Sequence, residues 1–170
     1  MKLNLSFLLL LLPFTVVFTS CKKDKDDPKS YFTYEGKTYE IKTAQHYGDE
    51  EFSSTMFTSI DATSASQSGK VSMISFLFGQ PELTAGTYTY KDDSDPAFDA
   101  AKNFVGASAL IDLAYQNGSA DETSGTTLEQ LTSGSITVAK DGTTFNISYE
   151  LNFNGKVVSG KYSGAIQAVN

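Results

Sequence analysis

Thr144-Phe145-Asn146-Ile147-Ser148-Tyr149-Glu150-Leu151-Asn152-Phe153-Asn154-Gly155 alternates polar and apolar residues without a break and ends on a turn dipeptide. A period of two places Phe145, Ile147, Tyr149, Leu151 and Phe153 on one face of a strand and their polar neighbours on the other. Asn154-Gly155 then reverses the chain, because a type I′ hairpin turn needs positive φ at both central residues, and Asn and Gly supply it. Counting outward from that turn pairs Leu151 with Val158, Tyr149 with Gly160, Ile147 with Tyr162 and Phe145 with Gly164. Asp141-Gly142 offers a second turn upstream, which pairs Val138 with Phe145 and Ile136 with Ile147. Both hairpins put their apolar residues on one face. That predicts a three-stranded meander, since a one-residue slip would turn the whole face to water. Gly160 and Gly164, opposite aromatic partners, read as room for rings or as bends in the sheet.

The same period governs the rest of residues 31–170. Glu35-Gly36 joins Tyr31–Tyr34 to Lys37–Thr43 as a hairpin with Phe32 opposite Tyr39. Phe52–Asp61 and Val71–Phe78 are strand-like, and the second is apolar on both faces, which suits a central strand. Ala62–Gly69 is a Ser/Ala/Gly connector, Gly86–Tyr90 a short strand, and Ala107–Tyr115 another with Ile111, Leu113 and Tyr115 alternating inward. Pro96–Asn103 reads as one helical turn and Asn117–Gly125 as a polar loop. The count is about nine strands at close spacing, an all-β domain built as an antiparallel β-sandwich or a partly closed, lipocalin-like barrel.

The first thirty residues follow different rules. Lys2 precedes an apolar run from Phe7 to Phe18, interrupted by Pro13 and Thr15, which has the layout of a secretory signal over residues 1–20. A membrane-spanning helix needs roughly 20 apolar residues, so the run is too short to remain as a span. Cys21 is the only cysteine, so the domain can form no internal disulfide and holds no thiol nucleophile. Residues 21–30 carry mixed charge and nothing apolar to bury, as a disordered tether would.

Phe18-Thr19-Ser20-Cys21 resembles the lipobox of bacterial lipoproteins, with phenylalanine where leucine is usual. The resemblance implies that Cys21 becomes the new N-terminus and carries acyl chains. At about 0.8 kcal/mol per buried methylene, two or three chains anchor stably where one is marginal. Lys22-Lys23-Asp24-Lys25-Asp26-Asp27 resembles the export signal of Bacteroidetes-type surface lipoproteins, which implies display on the outer leaflet of the outer membrane. Leu83–Tyr90, Gly134–Val138, Phe145–Leu151 and Gly160–Gly164 resemble turn, glycine and aromatic patterns of small lipoproteins of that group. That likeness implies an antiparallel β domain and transfers no catalytic residue.

The chemistry-bearing residues are few. All 13 basic residues are lysines against 20 carboxylates, a net charge of −7 that argues against a nucleic-acid partner. His46 is the only histidine, which removes the usual base for a serine nucleophile and a second imidazole for zinc; near the end of a likely strand, it reads as an exposed or hydrogen-bonded loop histidine. Asp92, Asp93 and Asp95, with Asp99 nearby, form a weak calcium candidate without the spacing of a twelve-residue calcium loop. Tyr88 and Tyr90 on one strand face, and Tyr47 near a strand end, are candidates for stacking on sugar rings. The expected protein is a non-catalytic, lipid-anchored surface module that requires no cofactor and binds a ligand such as a glycan, or an envelope protein. Two alternatives stand beside it. One is a structural envelope or adhesin-associated module; the other is a carrier whose cavity is lined by Phe76, Phe145 and Ile147.

Overall fold

Two-residue turns with positive φ set the register of this protein. In the computed structural model, which describes residues 29–61 and 68–169, both central residues of Asn154-Gly155 (φ 51° and 88°) and of Glu35-Gly36 (φ 48° and 76°) are left-handed, as a type I′ turn requires. The signal at 1–20, Cys21 and most of the tether lie outside the described residues, as does most of the Ala62–Gly69 connector. The strands are β1 (Tyr31–Tyr34), β2 (Lys37–Glu40), β3 (Thr43–Gly48), β4 (Ser53–Thr58), β5 (Gly69–Phe78), β6 (Gly86–Tyr90) and β7 (Asn103–Gln116). They continue with β8 (Ser119–Asp121), β9 (Thr126–Leu128), β10 (Leu131–Asp141), β11 (Thr144–Phe153), β12 (Lys156–Gly164) and β13 (Gln167–Val169).

The β11–β12 ladder has the expected register at all four pairs, Leu151–Val158 through Phe145–Gly164, and Phe32 faces Tyr39. The β10–β11 register differs. Val138 faces Ile147 and Ile136 faces Tyr149, because the turn residues are Gly142 and Thr143, with Asp141 paired to Thr144. Only Gly142 has positive φ there, the pattern of a II′ turn with glycine first. Moving the turn by one residue moves each partner by two, so the apolar face survives. Asn117-Gly118 is also left-handed at both positions (φ 53° and 82°), so the expected polar loop contains a hairpin joining β7 to β8.

Thirteen strands form one sheet, more than the nine counted from the sequence, because β3, β8, β9 and β13 add to that count. The fold is all-β, a curled, open half-barrel with eleven strands on its continuous path. Pairing is antiparallel except for β13 with β3 and β6 with β7. Among the described residues there is no helix. Pro96–Asn103 instead makes separate turns, with the Phe98 N–H bonded to the Asp95 carbonyl and the Asn103 N–H to that of Asp99. The Asp95 and Asp99 carboxylates accept from the Ala97 and Ala101 N–H groups, local bonds that compete with a continuing helix.

β2, at one end of the sheet path, and β3, next to the strand at the other end, are joined by two residues. Ile41 N–H donates to the Ser30 carbonyl beside β1, and the next amide, Lys42 N–H, donates to Thr58 on β4. Curling brings β4 and β5 face to face with β11 and β12. Phe57 stacks on Tyr162 at 4.8 Å between centroids, and Phe76 meets Tyr149 edge-on at 4.8 Å.

Glycine makes this packing possible. A Cβ on Gly160 would sit 2.5 Å from the Tyr149 hydroxyl and 2.6 Å from the Tyr31 carbonyl oxygen, so the ring occupies the missing side chain's space. At Gly164 the space is used by Tyr162 of the same strand, 2.8 Å from such a Cβ, rather than by Phe145 opposite. Tyr149 Oη is buried without a hydrogen-bond partner, and burial pushes its phenol pKa far up. An unpaired buried hydroxyl costs about 1–3 kcal/mol. Tyr149→Phe should therefore hold or raise stability by about 1 kcal/mol in urea unfolding. Gly160→Ala should lower it by about 1–3 kcal/mol through overpacking.

Candidate functional site

The end of the half-barrel that holds Ser30 carries a cleft. Ser30 is held there by Ser163, whose N–H donates to the Ser30 hydroxyl at 3.0 Å, one residue from the Gly164–Phe145 pair. The cleft, of about 310 Å³, is lined by His46, Glu82, Leu83, Lys140, Phe145, Ile166 and Ala168. Three features of the chain build it. Alternation along β3 turns Ala44 and His46 inward and Tyr47 outward. Parallel pairing sets Ala168 of β13 beside His46. The displaced β10–β11 turn brings Lys140 opposite Phe145, with the lysine Nζ 4.9 Å from the ring centroid.

His46 is pinned. Its Nδ1 lies 3.0 Å from Thr55 Oγ1, and its ring lies beside the Pro81 backbone carbonyl. Gly48 lets this loop lie close, since a Cβ there would be 2.5 Å from the Pro81 oxygen. Burial lowers the His46 pKa, opposed by the Pro81 carbonyl and by the charge of Glu82. A hydroxyl beside an imidazole has the composition of a nucleophile–base pair. Thr55 is 1 % exposed, however, so its oxygen has no approach for a substrate. What remains accessible is an apolar floor of Phe145 and Ile166 over the buried Leu83, with one ammonium and one carboxylate around it, a surface suited to holding a ligand with apolar and polar parts.

The residues expected from the sequence to bind are scattered. Tyr88 is 1 % exposed, its ring edge-on to Phe78 and its hydroxyl bonded to Thr84 and Gln80. Tyr90 is half-buried, 5.9 Å from Phe104. Tyr47 is 38 % exposed on the outer face of β3 and keeps an open ring. The three do not meet in one platform. Asp92 accepts from the Ser94 N–H and hydroxyl, Asp95 from Ala97 N–H with Lys91 at 3.5 Å, and Asp99 from Ala101 N–H and Lys102. These carboxylates shape turns, and among the described residues no three His, Cys, Asp or Glu side chains converge as metal ligands. Cys21 lies outside the described residues.

One cluster escapes sequence reading altogether. Asp112 sits in a β-bulge opposite Ser72 with φ 56°, its N–H donating to Ser72 Oγ. Its carboxylate takes Lys37 Nζ at 2.6 Å and Tyr39 Oη at 3.2 Å. The Lys37 hydrogen bond holds the Asp112 carboxyl below its ordinary pKa, and the Lys37 ammonium is raised in turn. The pair ties β2 to β7 across the sheet. No signal in the sequence pairs residues so distant. Searched against family models, curated proteins and solved structures, the chain matches none.

His46 carries a pH signature. Because its folded pKa is depressed, the unfolded chain takes up the proton more readily, and stability from this residue is lost as pH falls below about 6.5. Melting curves should fall between neutral and mildly acidic pH for the native chain and fall less for His46→Gln. Equal slopes would show that His46 stays solvated.

Proposed function

We propose that this chain is a lipid-anchored protein of the outer membrane, displayed at the cell surface, whose domain binds a ligand without transforming it. The observation that carries the binding reading is the cleft at the end that holds Ser30. Its imidazole is turned to Thr55, while the Phe145 ring, Lys140 and Glu82 stay accessible. A sugar ring is the ligand chemistry we favour. A pyranose face packs on an aromatic ring, and its hydroxyls take hydrogen bonds from an ammonium and give them to a carboxylate. Anchoring rests on the signal layout before Cys21 and on the absence of any other cysteine.

The aromatic cluster of Phe57, Phe76, Tyr149 and Tyr162 supports this reading over that of a carrier. The rings fill the space beside Phe76 where an apolar ligand would lie. Rings stacked across a single interior also favour a partly closed barrel over a sandwich. A structural envelope role is the second reading, and it would leave the cleft empty of ligand.

Replacing Cys21 with alanine should move the protein from the membrane fraction to the soluble fraction; retention would end the anchoring reading. Protease treatment of intact cells should degrade the native protein, and complete protection would exclude surface display. A polysaccharide panel tested against the full-length chain in detergent should give binding that Phe145→Ala and Lys140→Ala each weaken by about tenfold, or about 1.4 kcal/mol. Absence of binding across the panel would favour the structural role.

A further inference from the structure

The outer face of the sheet behind the cleft is apolar where an outer face is ordinarily polar. Of the four exposed large hydrophobic side chains among the described residues, three fall together: Tyr47 at 38 %, Phe52 at 36 % and Leu77 at 41 %. They line a groove of about 320 Å³ with Val169 and Asp49. The groove follows the ladder. Val169 faces Tyr47, Tyr47 faces Ser54, Ser54 faces Leu77 and Leu77 faces Gly106, one row across five strands. Small residues at Ser54 and Gly106 keep that row flat.

The row ends at an open edge. β13 is the terminal strand of the sheet and, among the described residues, pairs only with β3, so its other backbone edge is free. Natural sheets normally protect such an edge with charge, proline or a covering segment. Here the edge borders an apolar row instead. An added strand would satisfy the β13 backbone and extend that row by one apolar residue beside Val169. Above the groove, the β3–β4 turn presents Asp49-Glu50-Glu51. The Asp49 carboxylate is bonded to the Glu51 and Phe52 N–H groups, while Glu50 and Glu51 are exposed.

We propose that the β13 edge and the Tyr47–Phe52–Leu77 groove form a docking site for an extended segment of a partner protein. The segment pairs with β13, alternates apolar and polar residues, and carries lysine or arginine beside its apolar anchor to meet the acidic turn. A second copy of the chain would bring the same three acidic residues, and a bilayer offers no strand to β13. The proposal concerns the outer face, whereas His46 and the cleft lie on the inner side of the same strand, so it stands whether or not the cleft binds a glycan.

Selection of random linear peptides displayed on phage against the full-length chain in detergent tests it. Enriched peptides should alternate apolar and polar residues and carry a basic residue. Their binding should fall about tenfold or more with Tyr47→Lys or Leu77→Lys and weaken as salt rises. Val157→Lys, which charges the fourth exposed hydrophobic far from the groove, should leave binding unchanged. Absence of enrichment, or enriched peptides indifferent to both groove substitutions, would overturn the proposal. So would self-association of the chain that Leu77→Lys abolishes, since it would assign the groove to a second copy.

Discussion

The amides of Ile41 and Lys42, the two-residue link between β2 and β3, bond to opposite arms of the sheet, and the shape of the domain depends on it. One amide bonds to the carbonyl of Ser30 next to β1, and the following amide bonds to Thr58 on β4. Successive N–H groups of extended backbone point to opposite sides, so one short link can bond to two arms of one sheet. That link ties the β1 side of the curled sheet to β4, and the curl aims the inner side chains of β4, β5, β11 and β12 at a common interior. The stacked Phe57 and Tyr162 rings are its direct consequence.

A curled sheet leaves little interior volume, and large aromatic residues occupy it. The domain resolves the crowding by deleting side chains rather than shrinking rings. Gly160 yields its space to Tyr149, and Gly164 yields to Tyr162. The cost is the Tyr149 hydroxyl, enclosed by Phe57 and Phe76 with no acceptor in reach. Beside the cleft the sheet ends on β13, which is only three residues long and lies parallel to β3. That short strand produces both surface features. Its inner side borders the His46 cleft and its outer side the Tyr47 groove.

Much of the fold was legible because its signals are local. Asn154-Gly155 and Glu35-Gly36 set their hairpins without help from the rest of the chain. At Asp141-Gly142 the signal was ambiguous by one residue, since glycine serves as the second residue of a I′ turn or the first of a II′ turn. Asn117-Gly118 carried the same information as Asn154-Gly155, but its flanks lack strong alternation, so β8 and β9 were hidden in a polar segment. The candidate site was much less legible. Tyr88 and Tyr90 alternate like exposed platforms, yet which face of β6 is inner depends on its neighbours β10 and β7. His46 has the local signature of a hydrogen-bonded or exposed loop residue, because Thr55 meets it only through the β3–β4 register and Pro81 only through folding.

By itself the sequence determined the period of two, the principal hairpins and the all-β class, because each follows from backbone conformations that a few adjacent residues impose. Its first 30 residues also carry the proposed address, since signal and lipidation patterns are read as linear text. Tertiary structure alone decided which face of each strand is inner, how far the sheet curls, and where the cleft and the open edge lie. Those properties depend on contacts between residues many positions apart, such as Lys37 with Asp112 or Phe57 with Tyr162. Such pairs leave no mark in the local pattern, since neither partner's neighbours need change for the contact to form.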